Sequence, residues 1–278
     1  MIDIVATLGS QEQTSHGETH HSSSALKIAA GQAASLPLDE RKPFGPPLGT
    51  PLDGPMETAR RQLWKSADET VSAGIWECER GRFHNYFDGE GELIHVVSGR
   101  LTCLDDEGQV IRLGPGDVMT FPPDWRGEWR IDETFRKLFV GFRISSPVAQ
   151  ERAAEIAHSL VHLQLDGDAV TRMPLDSGES FSAVDGRSLG TRSRTSWRSG
   201  DGRIETGVWE IDAGSFHADF GTYGELIKVM AGDLTCAGDD GSKFALAPGD
   251  AMIFPRGWTG MWSMRTSLRK VYVTWEAW

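Results

Sequence analysis

"FHNYFDGEGELIHVVSGRLTC" occupies residues 83–103, and "FHADFGTYGELIKVMAGDLTC" occupies residues 216–236. The second passage is the first displaced by 133 positions (216 − 83 = 133). The displacement holds well beyond the passage itself. Residues 64–140 laid on 197–273 agree at 34 of 77 positions, where ordinary composition gives about five by chance. Trp64 falls on Trp197, Trp76-Glu77 on Trp209-Glu210, and the "PGD" of 115–117 on that of 248–250. "WRGEW" (125–129) falls on "WTGMW" (258–262), and Arg136-Lys137 on Arg269-Lys270. Two copies are too few for a solenoid, so each must be nearly self-sufficient or pair with its twin.

Within a copy the elements are short. "ELIHVVSG" alternates its faces and stops at Gly99, "RLTCLDDEGQVIRL" carries a hairpin turn at "DDEG", and "KLFVGF" is a closing strand. Strands every 8–12 residues, punctuated by Gly and Pro, indicate a sandwich or small barrel. Helical spacing occurs only in "SPVAQERAAEIAHSLVHLQL" (146–165), between the copies. There His158 and His162 stand four apart, a metal-compatible spacing without a third ligand nearby, so an ordinary linker helix is expected. Residues 1–58 are rich in Ser, Gly, Pro and His. "RKPFGPPLGTPLDGP" reads as an extended, flexible arm, since Pro removes donors and fixes φ; His16, His20 and His21 read as its solvated tail. The expected division is an arm (1–58), a first barrel (59–145), a linker with helix (146–190) and a second barrel (191–278).

Composition limits the function classes. The chain has 278 residues, 39% of them hydrophobic, and a net charge of −12, which argues against a nucleic-acid partner. No apolar run approaches the roughly 20 residues of a membrane helix, and the start lacks the basic flank and apolar core of a secretory signal. Cys78, Cys103 and Cys236 cannot all pair within the chain and form no CxxC; together these point to plain thiols in a reducing, cytoplasmic setting. No GxGxxG, P-loop, GxSxG or HExxH pattern is present.

The pattern E-x6-G, followed by a PGD turn and a second Pro turn, resembles the cupin superfamily. Its first motif is G-x5-H-x-H-x3,4-E-x6-G and its second G-x5-P-x-G-x2-H-x3-N. Glu92 to Gly99 and Glu225 to Gly232 match the end of the first; Gly116 to Pro122 and Gly249 to Pro255 match the start of the second. The W-x-G-x-W turn, the "RK" strand and the "GIWE/GVWE" opening are similar to the branch that holds ethanolamine-utilisation and ureidoglycine-aminohydrolase-like cupins. The resemblance implies an all-β protein of two tandem jelly-roll barrels joined by a short helical linker. Duplication would let one chain make the pseudo-two-fold pair that single-domain cupins form as dimers, as a monomeric pseudo-dimer or a homodimer.

The motif's metal ligands are mostly absent. The two histidines before Glu92 would stand at Asn85 and Phe87 or Tyr86 and Asp88; the twin positions are Ala218 and Phe220 or Asp219 and Gly221. The third would stand at Gly127 and Gly260. Tight transition-metal binding needs three or four placed donors, so no metal cofactor is expected. The alternative is a rearranged divalent site of His84, Glu92, His217 and Glu225, making the protein a metal-dependent enzyme of the ureidoglycine aminohydrolase type. Alternation on a strand turns Trp129 and Trp262 inward beside those glycines, leaving room for the indoles of Trp125, Trp129, Trp258 and Trp262 to line. Lys137 and Lys270 share a face with Phe139 and Tyr272, and a lysine inside a barrel needs a carboxylate. Glu92 and Glu225 are the natural partners. The expected function is binding of a small polar or carboxylated metabolite in the barrel mouth, in nitrogen or amino-alcohol catabolism by analogy. The remaining repeated residues read as structure: Asp117 and Asp250 hold the PGD turn, and Cys103 and Cys236 are small core residues. His95, replaced by Lys228 in the second copy, faces away from Glu92.

Overall fold

The computed structural model describes His20–His21, residues 24–144 and residues 164–276. It is almost entirely β, with a short helix at Ala30–Ser35 and a single 3-10 turn at Ala169–Thr171 among the described residues. In the first copy, one sheet runs Glu57–Lys65, Val71–Cys78, Phe135–Arg143, Glu90–Ser98, Val118–Phe121 and Gln164–Leu165. The facing sheet runs Val110–Leu113, Leu101–Asp105, Arg126–Ile131, Gly81–Tyr86 and Gly49–Pro51. The second copy repeats this with Thr191–Arg198, Ile204–Ile211, Leu268–Glu276, Tyr223–Ala231 and Ala251–Phe254 against Gly214–Asp219, Thr259–Met264, Leu234–Gly238 and Lys243–Leu246.

The motif glycines have a steric origin. Gly99 and Gly232 turn the chain at φ +81° and +83°, where a Cβ would sit 2.4 Å from the Thr134 carbonyl oxygen and 2.2 Å from that of Ser267. Only glycine meets both demands. At the PGD turn, Asp117 accepts the backbone N–H of Gly114 and Asp250 that of Ala247, the structural role expected of them.

The expected flexible arm needs correction, and most of the expected linker helix lies outside the described residues. Residues 24–58 are not detached: Leu26–Ile28 adds a strand to the second copy at Ala251–Ile253, Gly49–Pro51 pairs with Phe83–Asn85, and Phe44 and Met56 are buried. His20–His21 pairs with Trp64–Lys65; His16 lies outside the described residues. Residues 146–163 of the expected helix, with His158 and His162, also lie outside them, and its end, Gln164–Leu165, is a strand on Val118–Met119 of the first copy. These two segments are themselves twins. Leu26–Ile28 crosses to the second copy, then Arg136 of the first donates to the carbonyls of Ala33 and Leu36. Gln164–Leu165 crosses to the first copy, then Arg269 of the second donates to those of Val170 and Met173. Asp250 accepts the Ala30 N–H and Asp117 the Gly167 N–H, each at 3.0 Å. The displacement is now 137 (170 − 33 = 137; 173 − 36 = 137), four more than in the barrels. Local periodicity misses the segment because its strand partners lie on the other copy.

The two copies pack sheet to sheet about a pseudo-two-fold axis. Trp64 meets Trp275 at 5.3 Å, and the equivalent pair, Trp197 and Phe142, meets at 5.4 Å. On the axis the twins His95 and Lys228 touch each other, Nζ donating to Nδ1 at 3.2 Å, and Thr120 shares a buried hydrogen bond with Thr206 at 3.2 Å. A single hydrophobic cluster runs through this interface. One chain therefore holds the self-complementary contact of a two-fold dimer.

Candidate functional site

Alternation along Phe135–Arg143 and Leu268–Glu276 sends Leu138, Val140, Val271 and Val273 toward the other copy and Lys137, Phe139, Lys270 and Tyr272 into their own barrels. Lys137 Nζ donates to Glu92 Oε2. Lys270 Nζ donates to both Glu225 oxygens at 2.6 Å. Each ammonium is flanked by two indoles: Lys137 by Trp76 at 4.8 Å and Trp129 at 4.9 Å, Lys270 by Trp209 at 4.7 Å and Trp262 at 5.1 Å. An ammonium over an aromatic face recovers part of its lost hydration. Burial still dominates: it pulls both lysines below the usual ammonium range, against the opposing pull of their carboxylates. It pushes Glu225 above the usual carboxyl range, against Lys270. Both shifts narrow the gap between ion pair and neutral pair. Beneath them Cys103 and Cys236 are fully buried; desolvation raises both thiols, Cys236 to about 12, so neither is a nucleophile at neutral pH.

Two expected site residues are placed otherwise. Trp125 and Trp258 are not among the residues that line the two barrel cavities. Their indoles fill the space a side chain at Gly127 or Gly260 would take, with Cη2 2.7 and 2.8 Å from an ideal Cβ there. Trp125 packs on Phe87 and Phe121, and Trp258 on Phe220 and Phe254. The vacated histidine positions are thus filled by the neighbouring tryptophans. The rearranged metal site is also overturned. Phe83 and Asn85 point inward from Gly81–Tyr86, so His84 is exposed on the outer face; His217 is likewise outside, bonded to Asp239 at 3.1 Å. Neither histidine can share an ion with Glu92 or Glu225, and no group of three metal-ligating side chains comes together among the described residues. The residues present do not fit a transition metal.

The two barrels share this floor but not the space above it. The first cavity is about 140 Å³, capped by Phe44, whose ring lies tilted against Phe83 at 4.4 Å and which is 6% exposed. The second is about 530 Å³. Its Phe181 occupies the matching place, 4.9 Å from Phe216, but is 41% exposed. Ser72, Phe139 and Gly141 of the first wall are replaced by Glu205, Tyr272 and Thr274, and Tyr86 by Asp219. Tyr272 donates to Glu205 at 2.5 Å, and Arg198 Nε donates to the same carboxylate at 2.6 Å. Burial and Glu205 raise the Tyr272 phenol above its usual range. Sequence reasoning missed Trp76, Trp209 and Glu205. The signal lay in "IETGVW": Glu205, Gly207 and Trp209 alternate onto the face of an indole repeated in both copies.

Comparison with known proteins agrees with this architecture. A protein of the DUF861 family from Pseudomonas syringae pv. tomato superposes with a TM-score of 0.66 at 17% identity, covering 90% of this chain and 98% of that one. The cupin 2 conserved barrel domain protein of Leptotrichia buccalis gives 0.53 at 8% identity, over 87% and 98%. Ylba from E. coli, of the DUF861 family, gives 0.52 at 11%, over 96% and 97%. At these identities the likeness is one of fold. No curated protein matches the sequence significantly. The model of the EutQ-like cupin domain matches twice, at residues 65–139 and 198–272, and on that match over both barrels the chain belongs to the EutQ-like cupin family.

Proposed function

We propose that the second barrel binds a small polar or carboxylated metabolite over the Lys270–Glu225 pair, which stands where metal-dependent cupins hold their ion. The carrying observation is the cavity of about 530 Å³ floored by that pair, a size within the roughly 300–1,000 Å³ range of small-molecule sites. An ammonium has three donors, and Glu225 takes two, leaving one for an acceptor on the ligand. Trp209 and Trp262 supply apolar wall, while Tyr272, Thr274 and Asp219 supply polar contacts. In this reading Glu92, Trp129 and Lys137 hold the first barrel together without a ligand, because about 140 Å³ leaves little room. Kinship with ethanolamine-utilisation cupins makes compounds of nitrogen and amino-alcohol catabolism the first to screen, by analogy of fold.

The test is a thermal-shift screen of short carboxylates and amino alcohols, repeated on two cavity-filling variants. A hit should lose its shift in Thr274→Trp and keep it in Gly141→Trp, where the first barrel is filled instead. A shift that survives Thr274→Trp and disappears in Gly141→Trp would move the site to the other barrel and overturn the reading.

A further inference from the structure

Lys270 is the primary amine among the residues lining the second cavity. It is held by Glu225, a carboxylate able to take its proton at 2.6 Å, between two indole faces. Its Nζ lies 5.8 Å from the ring centre of Tyr272. The phenol's proton goes to Glu205, which Arg198 also binds, so Glu205 keeps a partner when the hydroxyl turns toward a ligand. An amine, a base beside it and a hydroxyl donor across a cavity are the groups that carbonyl–amine condensation requires.

We propose that Lys270 forms an iminium linkage with a small aldehyde or keto compound bound in the second cavity. Glu225 takes one proton from the ammonium, and the freed lone pair of Nζ bonds to the carbonyl carbon. The carbonyl π pair moves to oxygen, which Tyr272 stabilises by donating a hydrogen bond, and proton transfer gives the carbinolamine. Glu225 returns its proton to the hydroxyl, the C–O bond breaks as the nitrogen lone pair forms C=N, and water leaves. The balance is ammonium plus carbonyl to iminium plus water, with no oxidant or reductant. Burial, which destabilises the ammonium and makes the carboxylate of this pair a stronger base, works in the same direction. The first barrel is an internal control: it has Lys137 and Glu92, but Phe139 and Ser72 stand where Tyr272 and Glu205 do, beneath the Phe44 cap.

The inference rests on the second cavity being a binding site, and the experiment separates the two. The full chain is mixed with glyoxylate or glycolaldehyde, and binding is followed by tryptophan fluorescence. Sodium cyanoborohydride is then added, so that its hydride reduces any iminium to a stable secondary amine located by peptide mass spectrometry. The expected result is saturable quenching and trapping at Lys270 at least about tenfold faster than at Lys137 or exposed lysines. Tyr272→Phe should slow trapping by about 100-fold, the usual scale of one hydrogen-bond donor to a developing oxyanion. Lys270→Met with Glu225→Gln, which removes both charges together, should abolish it. Saturable quenching without trapping at Lys270 overturns the iminium and leaves the binding reading standing. Neither quenching nor trapping by these probes overturns the iminium and counts against the binding reading. Trapping spread evenly over surface lysines overturns the iminium as well.

Discussion

The two barrels differ least where their charges are deepest and most where a ligand would enter. Both place a lysine between two tryptophans and close it with a glutamate. Above that floor, one wall carries Ser72, Phe139 and Gly141, and the other Glu205, Tyr272 and Thr274. The two copies share the buried pair and differ in the residues above it. The ion pair is thus common to both copies, and under the proposed function it meets a ligand only where space remains beside it.

The largest effects should come from the pairs themselves. Glu225→Gln leaves Lys270 buried without its countercharge and should cost on the order of 3–5 kcal/mol in denaturant unfolding. Glu92→Gln should cost less, because the Glu92 side chain is 13% exposed against 5% for Glu225. Adding Lys270→Met to the first change should recover part of the loss. Strictly additive effects below about 1 kcal/mol in both barrels would dissolve the common floor. The caps come next. Phe44→Ala empties a buried ring site and should cost about 3 kcal/mol; Phe181→Ala, at a half-open mouth, should cost under about 1. Equal costs would mean that the second barrel is as tightly capped as the first.

The axis between the barrels gives a pH signature. Burial, with Lys228 adding to it, lowers the His95 pKa from 6.5 to about 3. The unfolded chain thus takes up this proton first, and the stability present above pH 6.5 is lost as pH falls toward 3. At pH 4.5 the loss should be about 2–3 kcal/mol, and His95→Gln should remove it, as urea midpoints at pH 7 and 4.5 would read. Lys228, lowered by burial to about 8 despite the nearby Asp250, acts at the other end. Its charged form is penalised in the fold, so its contribution to stability rises from about pH 8 to 10.5. The smallest effect is at Thr206, fully buried and bonded to Thr120 and Ser196. Thr206→Val should cost about 1 kcal/mol.

The barrels and their ion pairs were legible because the repeat is long and because a lysine at an inward strand position demands a carboxylate. The indoles of Trp125 and Trp258 were not. A ring two residues from a glycine can flank its gap or fill it, and only the turn geometry at Asp124 and Gly257, both at positive φ, decides. His84 and His217 were misleading for a simpler reason. They lie close to the motif in sequence count, but each sits on an outward position between inward Phe83 and Asn85 or Phe216 and Ala218. The exchanged segments were hidden by a change of displacement from 133 to 137. With hindsight, "PLD" at 37–39 and 174–176, followed in each case by Phe44 and Phe181, is their trace in the sequence.

The crossing of Leu26–Ile28 onto Ala251–Ile253 also sets a clock on biosynthesis. Leu26 pairs with Ile253, so a ribosome must add more than two hundred further residues before this strand meets its neighbour. At roughly 5–20 residues per second, the early segment waits on the order of ten to fifty seconds with its ladder groups open. The reciprocal strand, Gln164–Leu165, finds Val118–Met119 already made. The first barrel can therefore be sealed during translation, whereas the second closes only on a strand synthesised before either barrel.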